Sequence, residues 1–256
     1  MYFLYLWKAV IISLSLSLTC TPSLVFSSNQ TIKEDSLFIV TPAWKTFTEE
    51  DGTGFYFELM KMLYEPIGIK IDYQITPWAR SVAMISLKQA DALVGSYLEQ
   101  ADLFHYPQQA IWRDISSVVF KPSIFKWKGI DSLQNKNIGW IRGYGYDAYF
   151  DVPMNVTKLI DNKQAWKLLE LNRIDFYIES LTDLKLYMQE NTINSNEYEI
   201  ENVLSKDMYV RFAKTAQGKK FADIFDQRIV ELKQNGQLKE LYLKWGYSDN
   251  YTAFIH

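Results

Sequence analysis

The chain has 256 residues, enough for one large domain or for two lobes of modest size. Its net charge is −3 and its pI about 5.5, and no stripe of basic residues runs along it, so we expect no nucleic acid partner. Aromatic residues are abundant, with 17 Tyr, 15 Phe and 8 Trp. Many of them must be core, but enough remain to line a cleft.

The first 27 residues differ in composition from the rest and are predicted to form a signal peptide. Lys8 is their only charged residue. An unbroken run of apolar and serine residues covers 9–18, which is the length of a signal-peptide core and too short to span a bilayer comfortably. Cleavage is predicted near Ser27, with Val25 and Ser27 as the small residues before the cut. An uncleaved anchor and an ordinary buried helix are the alternatives.

The only cysteine, Cys20, lies within this segment. A lipoprotein signal needs a small residue just before the cysteine and usually a leucine three residues before it. Thr19 and Ser17 stand at those positions, so lipid anchoring at Cys20 is the less favoured alternative. Cleavage after Ser27 leaves a mature chain without disulfides, thiolate catalysis or cysteine metal sites. The predicted location is periplasmic.

After residue 36, short apolar runs alternate with amphipathic stretches. Strands are predicted at 37–41, 69–75, 91–95, 115–120, 137–141, 156–160, 175–178 and 207–213. Helices are predicted at 54–67, from Pro77 onward, near 146–151, at 162–171, at 180–190, and in two C-terminal stripes, 221–232 and 238–245. This alternation predicts an α/β fold with largely parallel sheets. A break in the pattern at 121–128 predicts the start of a second lobe.

The turn Gly143-Tyr-Gly145-Tyr-Asp-Ala148 fits the dinucleotide-binding pattern G-x-G-x-x-[G/A]. It follows an apolar strand, precedes a predicted helix, and has an acid, Asp161, at roughly the expected distance. However, an exported chain is separated from nicotinamide cofactors, and this turn opens a second lobe rather than a first βαβ unit. We therefore interpret the match as accidental and predict no cofactor. Glycines at a helix start would still let backbone N–H groups approach an anion.

Other reaction chemistries find no support. His105 and His256 are the only histidines, and neither has a metal-ligand spacing. No G-x-S-x-G or P-loop pattern is present. No metal site and no catalytic residue are predicted.

Four segments occur in an order that is typical of one family. They are DGTGFYFELMKMLYEPIGIKIDYQITPWARSVAMISLKQADALVGSY (51–97), SLQNKNIGWIRGYGYDAYF (132–150), AWKLLELNRIDFYIES (165–180) and IVELKQNGQLKELYLKWGY (229–247). Together they resemble the extracellular solute-binding proteins of family 3, the amino-acid ABC transporter type. One such match would be weak, but four in sequence are specific.

The resemblance implies a type II periplasmic binding protein fold: two α/β lobes, each a mixed sheet flanked by helices, joined by two hinge strands. Lobe 1 would comprise residues 28–119 and 207–256, and lobe 2 residues 122–204, with hinge strands near Val118–Lys121 and Asp207–Arg211. A small-molecule ligand would bind between the lobes, which would close on it by hinge motion. The protein would be a monomer without enzymatic activity, and its partner a membrane ABC transporter permease. A periplasmic enzyme on the same fold, such as a dehydratase, and a stand-alone ligand sensor are the alternatives.

The resemblance also implies a cleft lined by the turns that follow the strands. The predicted ligand-binding residues are Trp44, Trp78, Arg80, Gly95, Ser96, Tyr97, Arg142, Gly143, Tyr144, Gly145, Glu179 and Ser180. Trp44 and Trp78 would flank the ligand, although core positions are the alternative for both. Glu179 would accept a cationic group of the ligand, with a surface salt bridge as its alternative.

The arginine with which amino-acid binders clamp the α-carboxylate is missing from its usual place, where this chain has Asp102. Either the protein does not bind a standard amino acid, or Arg142 or Arg80 provides the clamp. If Asp102, Glu99 and Glu179 all reach the cleft, the ligand would be a basic or polyamine-like solute with more than one positive charge.

Overall fold

The computed structural model of the protein describes residues 35–255, with side chains described as far as residue 252. The predicted signal peptide, Cys20 and His256 lie outside the described residues. Within 35–255, no helix has the length and apolar character needed to cross a membrane.

The described chain alternates strands and helices, as predicted. The strands are β1 (Ser36–Thr41), β2 (Lys70–Ile75), β3 (Ala92–Tyr97), β4 (Phe104–His105), β5 (Trp112–Phe120), β6 (Asn137–Ile141), β7 (Asn155–Leu159), β8 (Phe176–Ser180) and β9 (Glu199–Ala213). The α-helices are α1 (Phe55–Tyr64), α2 (Trp78–Ser86), α3 (Asn162–Glu170), α4 (Leu181–Glu190), α5 (Ala216–Gln234), α6 (Gln237–Lys244) and α7 (Ser248–Ile255). Every predicted strand is present, and β4 and α7 are additional.

Two predicted helices differ from the structure. The helix predicted at 54–67 is α-helical only to Tyr64 and continues as a 3-10 turn over Glu65–Ile67, because Pro66 cannot donate a backbone hydrogen bond. The helix predicted near 146–151 is only a four-residue 3-10 turn, Tyr146–Tyr149. The turn that resembled a nucleotide fingerprint therefore does not lead into an α-helix.

The strands form one continuous mixed sheet in the order β2-β1-β3-β9-β5-β8-β6-β7, with β4 paired to β9. The pairs β1–β2, β1–β3, β6–β7 and β6–β8 are parallel. The pairs that involve β5 or β9 are antiparallel. Each end of the sheet is therefore a parallel α/β unit, and the two units meet along β5 and β9.

Strands β5 and β9 are the two connections between the lobes. They pair with each other from Trp112↔Met208 to Phe120↔Glu199. The end of β9 pairs with β3 in lobe 1, and the end of β5, from Ser116 onward, pairs with β8 in lobe 2. The predicted lobe boundaries remain predictions. This pairing favours crossing points near 113–116 and 204–207, a few residues before the first predicted hinge strand.

Separate hydrophobic clusters stabilise the two lobes. In lobe 1, α1 and α5 pack on the sheet through fully buried residues that include Phe55, Phe57, Leu63, Phe212, Phe221 and Phe225. In lobe 2, one cluster is built around Phe120, Trp140 and Phe176, and another around Leu159, Leu169 and Tyr177. Because each lobe has its own core, the cleft between them can change shape without either core being opened.

The acid that matched the nucleotide fingerprint has a structural role at the start of α3. Asp161 is the N-cap residue, and its Oδ1 accepts a hydrogen bond from the backbone N–H of Gln164 at 2.7 Å. Asp161→Ala is expected to lower the free energy of unfolding by about 1 kcal/mol, because it leaves a helix N–H without its partner. Urea denaturation measures this effect. Asp161→Asn serves as the control because it keeps a capping oxygen, and equal losses in the two variants would contradict the capping role.

Candidate functional site

A cavity of about 70 Å³ lies between the lobes, where the ends of β3 and β8 meet the crossing strands. It is lined by Trp44, Phe47, Tyr56, Trp78, Gly95, Tyr97, Glu99, Trp112, Asp114, Gly143, Tyr144, Tyr146, Glu179, Ser180, Asp183 and Met208. Eight of these sixteen residues are aromatic and four are acidic, and none of the described residues that line it is Lys, Arg or His. We call it the inner cavity.

A second and more open cavity of about 600 Å³ adjoins the first. This outer cavity shares Trp44, Trp78, Tyr144, Glu179 and Asp183 with the inner one. It differs in charge, because Lys45, Arg80 and Arg142 are among its lining residues. Asp161 and Glu190 also line the outer cavity, so its lining carries charges of both signs, whereas the charged residues that line the inner cavity are all acidic.

Three aromatic rings form the boundary between the two cavities, and we call them the aromatic gate. The ring centroids of Trp44 and Trp78 are 5.6 Å apart, and Tyr144 meets Trp78 edge-on at 6.0 Å. The indole Nε1 of Trp78 donates a hydrogen bond to the carbonyl oxygen of Gly143 at 3.1 Å. Since Trp78 belongs to lobe 1 and Gly143 to lobe 2, the gate joins the lobes.

Other contacts also cross the cleft. Lys45 forms an ion pair with Glu190 in α4. The hydroxyl of Tyr149 donates a hydrogen bond to Glu99, whose carboxylate also lies 3.6 Å from the buried guanidinium of Arg211. Glu99 is therefore held at the rim of the inner cavity by partners from both lobes, and it is the one acid there with a cationic partner.

Asp114 is buried at the base of the inner cavity on β5. Its Oδ2 accepts hydrogen bonds from the hydroxyls of Tyr97 at 2.5 Å and Ser116 at 3.0 Å. Burial raises the pKa of Asp114, and these two hydrogen bonds offset part of the rise. Burial of Tyr97 and the nearby charge of Asp114 raise the pKa of Tyr97, so its hydroxyl remains a donor.

Glu179 is the penultimate residue of β8 and is also buried, with its carboxylate bound within its own lobe. Oε2 accepts a hydrogen bond from the Tyr177 hydroxyl at 2.8 Å, and Oε1 accepts one from the backbone N–H of Ser180 at 2.8 Å. Burial raises the pKa of Glu179 well above its usual range, and the nearby Asp183 charge adds to the rise. This side chain is anchored in place, not part of a surface salt bridge.

Asp183 lies in the first turn of α4 and lines both cavities. It is only partly covered, because its carboxylate faces the cavities, yet the surrounding protein withdraws it from bulk water. Burial and the charge of Asp114 raise the pKa of Asp183 to about 7. Among residues 35–252, no side chain or backbone group donates a hydrogen bond to it, so it is the acid most open to a bound molecule.

The arrangement therefore suits a positively charged group. Burial raises the pKa values of all three carboxyl groups, and repulsion between neighbouring charges adds to the rise for Glu179 and Asp183. A cation placed among them would relieve that repulsion. The faces of Trp and Tyr rings, which supply most of the remaining wall, also attract cations.

The predicted ligand-binding residues are divided among three places. Those that line the inner cavity are Trp44, Trp78, Gly95, Tyr97, Gly143, Tyr144, Glu179 and Ser180. Arg80 and Arg142 are exposed and line only the outer cavity. Ser96 is fully buried and Gly145 lies in the lobe 2 turn, and neither lines either cavity. Asp102 is exposed and lies outside both, whereas Glu99 lines the inner one.

The lobe 2 turn is not built as an anion site. Gly143 and Gly145 have φ values of 93° and 67°, and the 3-10 turn that follows is too short to provide a helix N-terminus. Two features favour glycine at position 143: its φ of 93°, and close packing, because a Cβ there would lie 2.9 Å from Cδ1 of Trp78. The turn thus allows lobe 2 to approach the gate.

Sequence reasoning missed Asp114 and Asp183. Asp114 had a detectable signal: it lies two residues from both Trp112 and Ser116 in β5, so it shares their buried face of the strand. Asp183 follows Glu179 at the start of a helix, a position that also suits an ordinary exposed acid. Only the packing of α4 against β5 and β8 shows that it faces the cleft.

Within the described chain, no group of three or more His, Cys, Asp or Glu side chains is arranged to hold a metal ion.

Two lobes joined by paired strands, with an enclosed cavity between them, define a two-lobed ligand-binding protein. The sequence model of the bacterial extracellular solute-binding proteins, family 3, matches residues 41–248. The chain belongs to this family, as the sequence motifs predicted. No curated protein matches it in sequence.

Solved structures confirm the predicted fold class. The substrate-binding protein of an amino acid ABC transporter aligns with a TM-score of 0.69 at 19% identity, covering 82% of this chain and 98% of that one. AbpA from Streptococcus pneumoniae, an amino acid ABC transporter substrate-binding protein bound to L-arginine, gives 0.66 at 18% identity, covering 83% and 95%. A histidine kinase sensor domain similar to periplasmic binding proteins gives 0.69 at 12% identity, covering 82% and 95%.

Proposed function

We propose that the protein is an exported, periplasmic solute-binding protein that captures a small polar solute between its lobes and delivers it to a membrane ABC transporter. The enclosed inner cavity between two separately packed lobes is the observation that carries this proposal. The family assignment supports the solute-binding role, and a transporter protein is among the similar structures. The signal peptide, cleaved near Ser27, remains part of the proposal.

Solute capture would follow from bending at β5 and β9. We place the hinges at 113–116 and 204–207, where the two strands pass from one lobe to the other. Opening would separate Trp78 from Gly143 and Lys45 from Glu190, and it would expose the inner cavity. Closing would surround the solute and shield it from water. The protein would act as a monomer and carry out no chemical reaction on its ligand.

A sensor role is the second candidate, because a histidine kinase sensor domain shares the fold. The two roles use the same cavity and differ in the partner that reads the closed form. Binding experiments on the purified protein therefore test the cavity, and a pull-down of membrane proteins with and without ligand separates a permease from a kinase.

The direct test is to identify the ligand and show that it uses the inner cavity. Native mass spectrometry of the freshly purified protein would detect a copurifying molecule. Thermal melting against panels of amino acids, amines and organic acids would find ligands that raise Tm as their concentration exceeds Kd. If no member of any panel binds and nothing copurifies, the proposal is wrong. Conversion of a bound molecule to a product would instead establish an enzyme.

Trp78→Ala is expected to weaken binding of that ligand about tenfold or more, a loss of about 1.4 kcal/mol, because it removes a gate ring and the hydrogen bond to Gly143. Isothermal titration calorimetry measures the change. Trp127→Ala is the matched control, since Trp127 is half-buried against Phe120 and lies outside both cavities. Equal loss of affinity in both variants would show that the effect is general destabilisation. Arg142→Ala, in the outer cavity, is expected to change Kd less than about threefold.

A further inference from the structure

The charges around the inner cavity are unbalanced. Asp114, Glu179 and Asp183 line it, and no cationic side chain among the described residues does so. Lys206 approaches the cavity from outside its lining, with Nζ 3.8 Å from the ring centroid of Tyr149 and 5.9 Å from that of the lining residue Tyr97. Glu99 is already paired with Arg211. The three other acids therefore have no ion-pair partner among residues 35–252.

Hydrogen bonding distinguishes the roles of these three acids. Asp114 and Glu179 each accept hydrogen bonds from neighbouring groups that fix their orientation. Asp183 accepts none from the described residues and reaches both cavities. A ligand ammonium would find in Asp183 an acceptor for which no described group competes, together with the two anchored acids of the same cavity.

The aromatic wall supports the same guest. Trp112, Tyr56 and Phe47 close the lobe 1 side, and the hydroxyls on the wall stay protonated because burial raises the pKa values of Tyr56, Tyr144 and Tyr146. Ring faces and carboxylates are a combination that binds amines and quaternary ammonium groups. A ligand carboxylate there would find hydroxyl donors but no cationic side chain among the described lining residues, and it would be repelled by the acids.

We infer that the inner cavity selects a small organic cation that has no carboxylate, such as an aliphatic amine, a diamine or a guanidino amine. The inference rests on the proposed function and specifies the ligand class of that site. It sets this protein apart from the relative whose structure holds L-arginine, which carries an α-carboxylate. A ligand without a carboxylate would also explain why this chain has Asp102 where amino-acid binders have a clamping arginine.

A zwitterion that bridges the two cavities is the main competing guest. Its ammonium would lie beside Asp183 and its carboxylate would reach Arg142 or Arg80. Because Asp183 lines both cavities, such a ligand could lie in the outer cavity as well as across the aromatic gate. Matched pairs of ligands that differ only in the carboxylate separate the two guests.

The experiment measures Kd by calorimetry for three pairs: agmatine and arginine, putrescine and ornithine, histamine and histidine. The amine of at least one pair is expected to bind ten times more tightly than its amino acid. If the amino acid binds as tightly or more tightly in every pair that binds, the cation class is overturned while the solute-binding function stands. If no member of any pair binds, although another solute copurifies or stabilises the protein, the cation class is again overturned and the proposed function survives. If nothing binds at all, both are wrong.

Asp183→Asn tests the residue. It keeps the size of the side chain and removes its charge, and it is expected to weaken binding of the preferred amine at least tenfold. Asp102→Asn is the matched control, because Asp102 is exposed and outside both cavities, and its Kd should not change. Circular dichroism confirms that both variants fold. Retention of amine affinity by Asp183→Asn, or equal losses in both variants, would overturn the role assigned to Asp183.

Discussion

Asp183→Asn is expected to stabilise the ligand-free protein at about pH 8, although the same change removes a residue on which ligand binding is proposed to depend. The gain should be about 1–2 kcal/mol, which for a chain of this size corresponds to roughly 2–8 °C in Tm. The reason is that the wild-type protein must hold this charge beside Asp114 and Glu179 in a poorly hydrated site. Asparagine carries no charge and loses no hydrogen bond from a described residue.

The effect should depend on pH with a definite sign. The pKa of Asp183 is raised to about 7 in the folded protein, so the folded state binds a proton more tightly than the unfolded chain does. The wild-type protein therefore has its full stability from this group below the ordinary pKa of aspartate and loses it as the pH rises through about 7. Asparagine resembles the protonated form. The difference in Tm between variant and wild type should be small at about pH 4 and largest above about pH 7.

Two further variants isolate the cause. Asp102→Asn removes an exposed charge and should show no such pH dependence. Glu179→Gln should stabilise less than Asp183→Asn, because Glu179 accepts hydrogen bonds from Tyr177 and Ser180 that an amide would satisfy less well. Differential scanning calorimetry between about pH 4 and pH 9 measures all three. If Asp183→Asn is no more stable than the wild type at about pH 8, the Asp183 carboxylate is not destabilised by its burial or by the charge of Asp114.

These expectations connect stability with function. Ionised carboxylates in a poorly hydrated cavity cost folding free energy, and a bound cation would recover part of it. Ligand binding should therefore stabilise the wild-type protein more than the variant, because only the wild type has the repulsion to relieve. The empty site remains tolerable because the two lobes are stabilised by cores far from the cavity, around Phe221 and Phe176.

The sequence predicted most of the fold because its regular elements follow local patterns. Strand β6, for example, is predicted at 137–141 and found at Asn137–Ile141. Strand β9 was predicted to begin at residue 207 but begins at Glu199. Its first half has little alternation of buried and exposed residues, because a crossing strand is partly covered on both faces. A prediction that depends on periodicity cannot detect such a strand.

The site was less predictable than the fold. The family resemblance predicts Trp44, Trp78, Tyr144 and Glu179 as ligand contacts, and all four line the inner cavity. Asp183 lines the inner cavity and Arg142 lines only the outer one because of how the two lobes approach each other. No local sequence pattern predicts that approach. The distance between the lobes determines which residues of a turn can contact the ligand. That distance depends on packing between residues far apart in the sequence.

Gly143→Ala is expected to reduce ligand affinity about 10- to 100-fold while leaving both lobes folded. The added Cβ would lie 2.9 Å from Cδ1 of Trp78 and 3.3 Å from Cβ of Ala79, both in the opposite lobe. The closed arrangement would therefore cost about 1.4–2.8 kcal/mol more, and apparent affinity falls with the population of the closed, binding-competent form. Calorimetric titration measures the loss.

Gly145→Ala is a closely matched control for this change. Gly145 lies in the same turn with φ 67°, and a Cβ there would have no neighbour within 4 Å. Both alanines strain the backbone, at a cost of about 1 kcal/mol, but only the one at position 143 meets the other lobe. Equal losses of affinity in the two variants would assign the effect to strain in the turn.

A double variant tests the contact itself. In the Trp78→Ala background the ring that opposes the new Cβ is absent, so Gly143→Ala should weaken binding by a smaller factor than it does in the wild type. Additive effects would mean that position 143 acts independently of the gate. Non-additivity would show that Gly143 is glycine because Trp78 must close against it, which gives the G-x-G pattern of this chain a steric origin in place of a nucleotide-binding one.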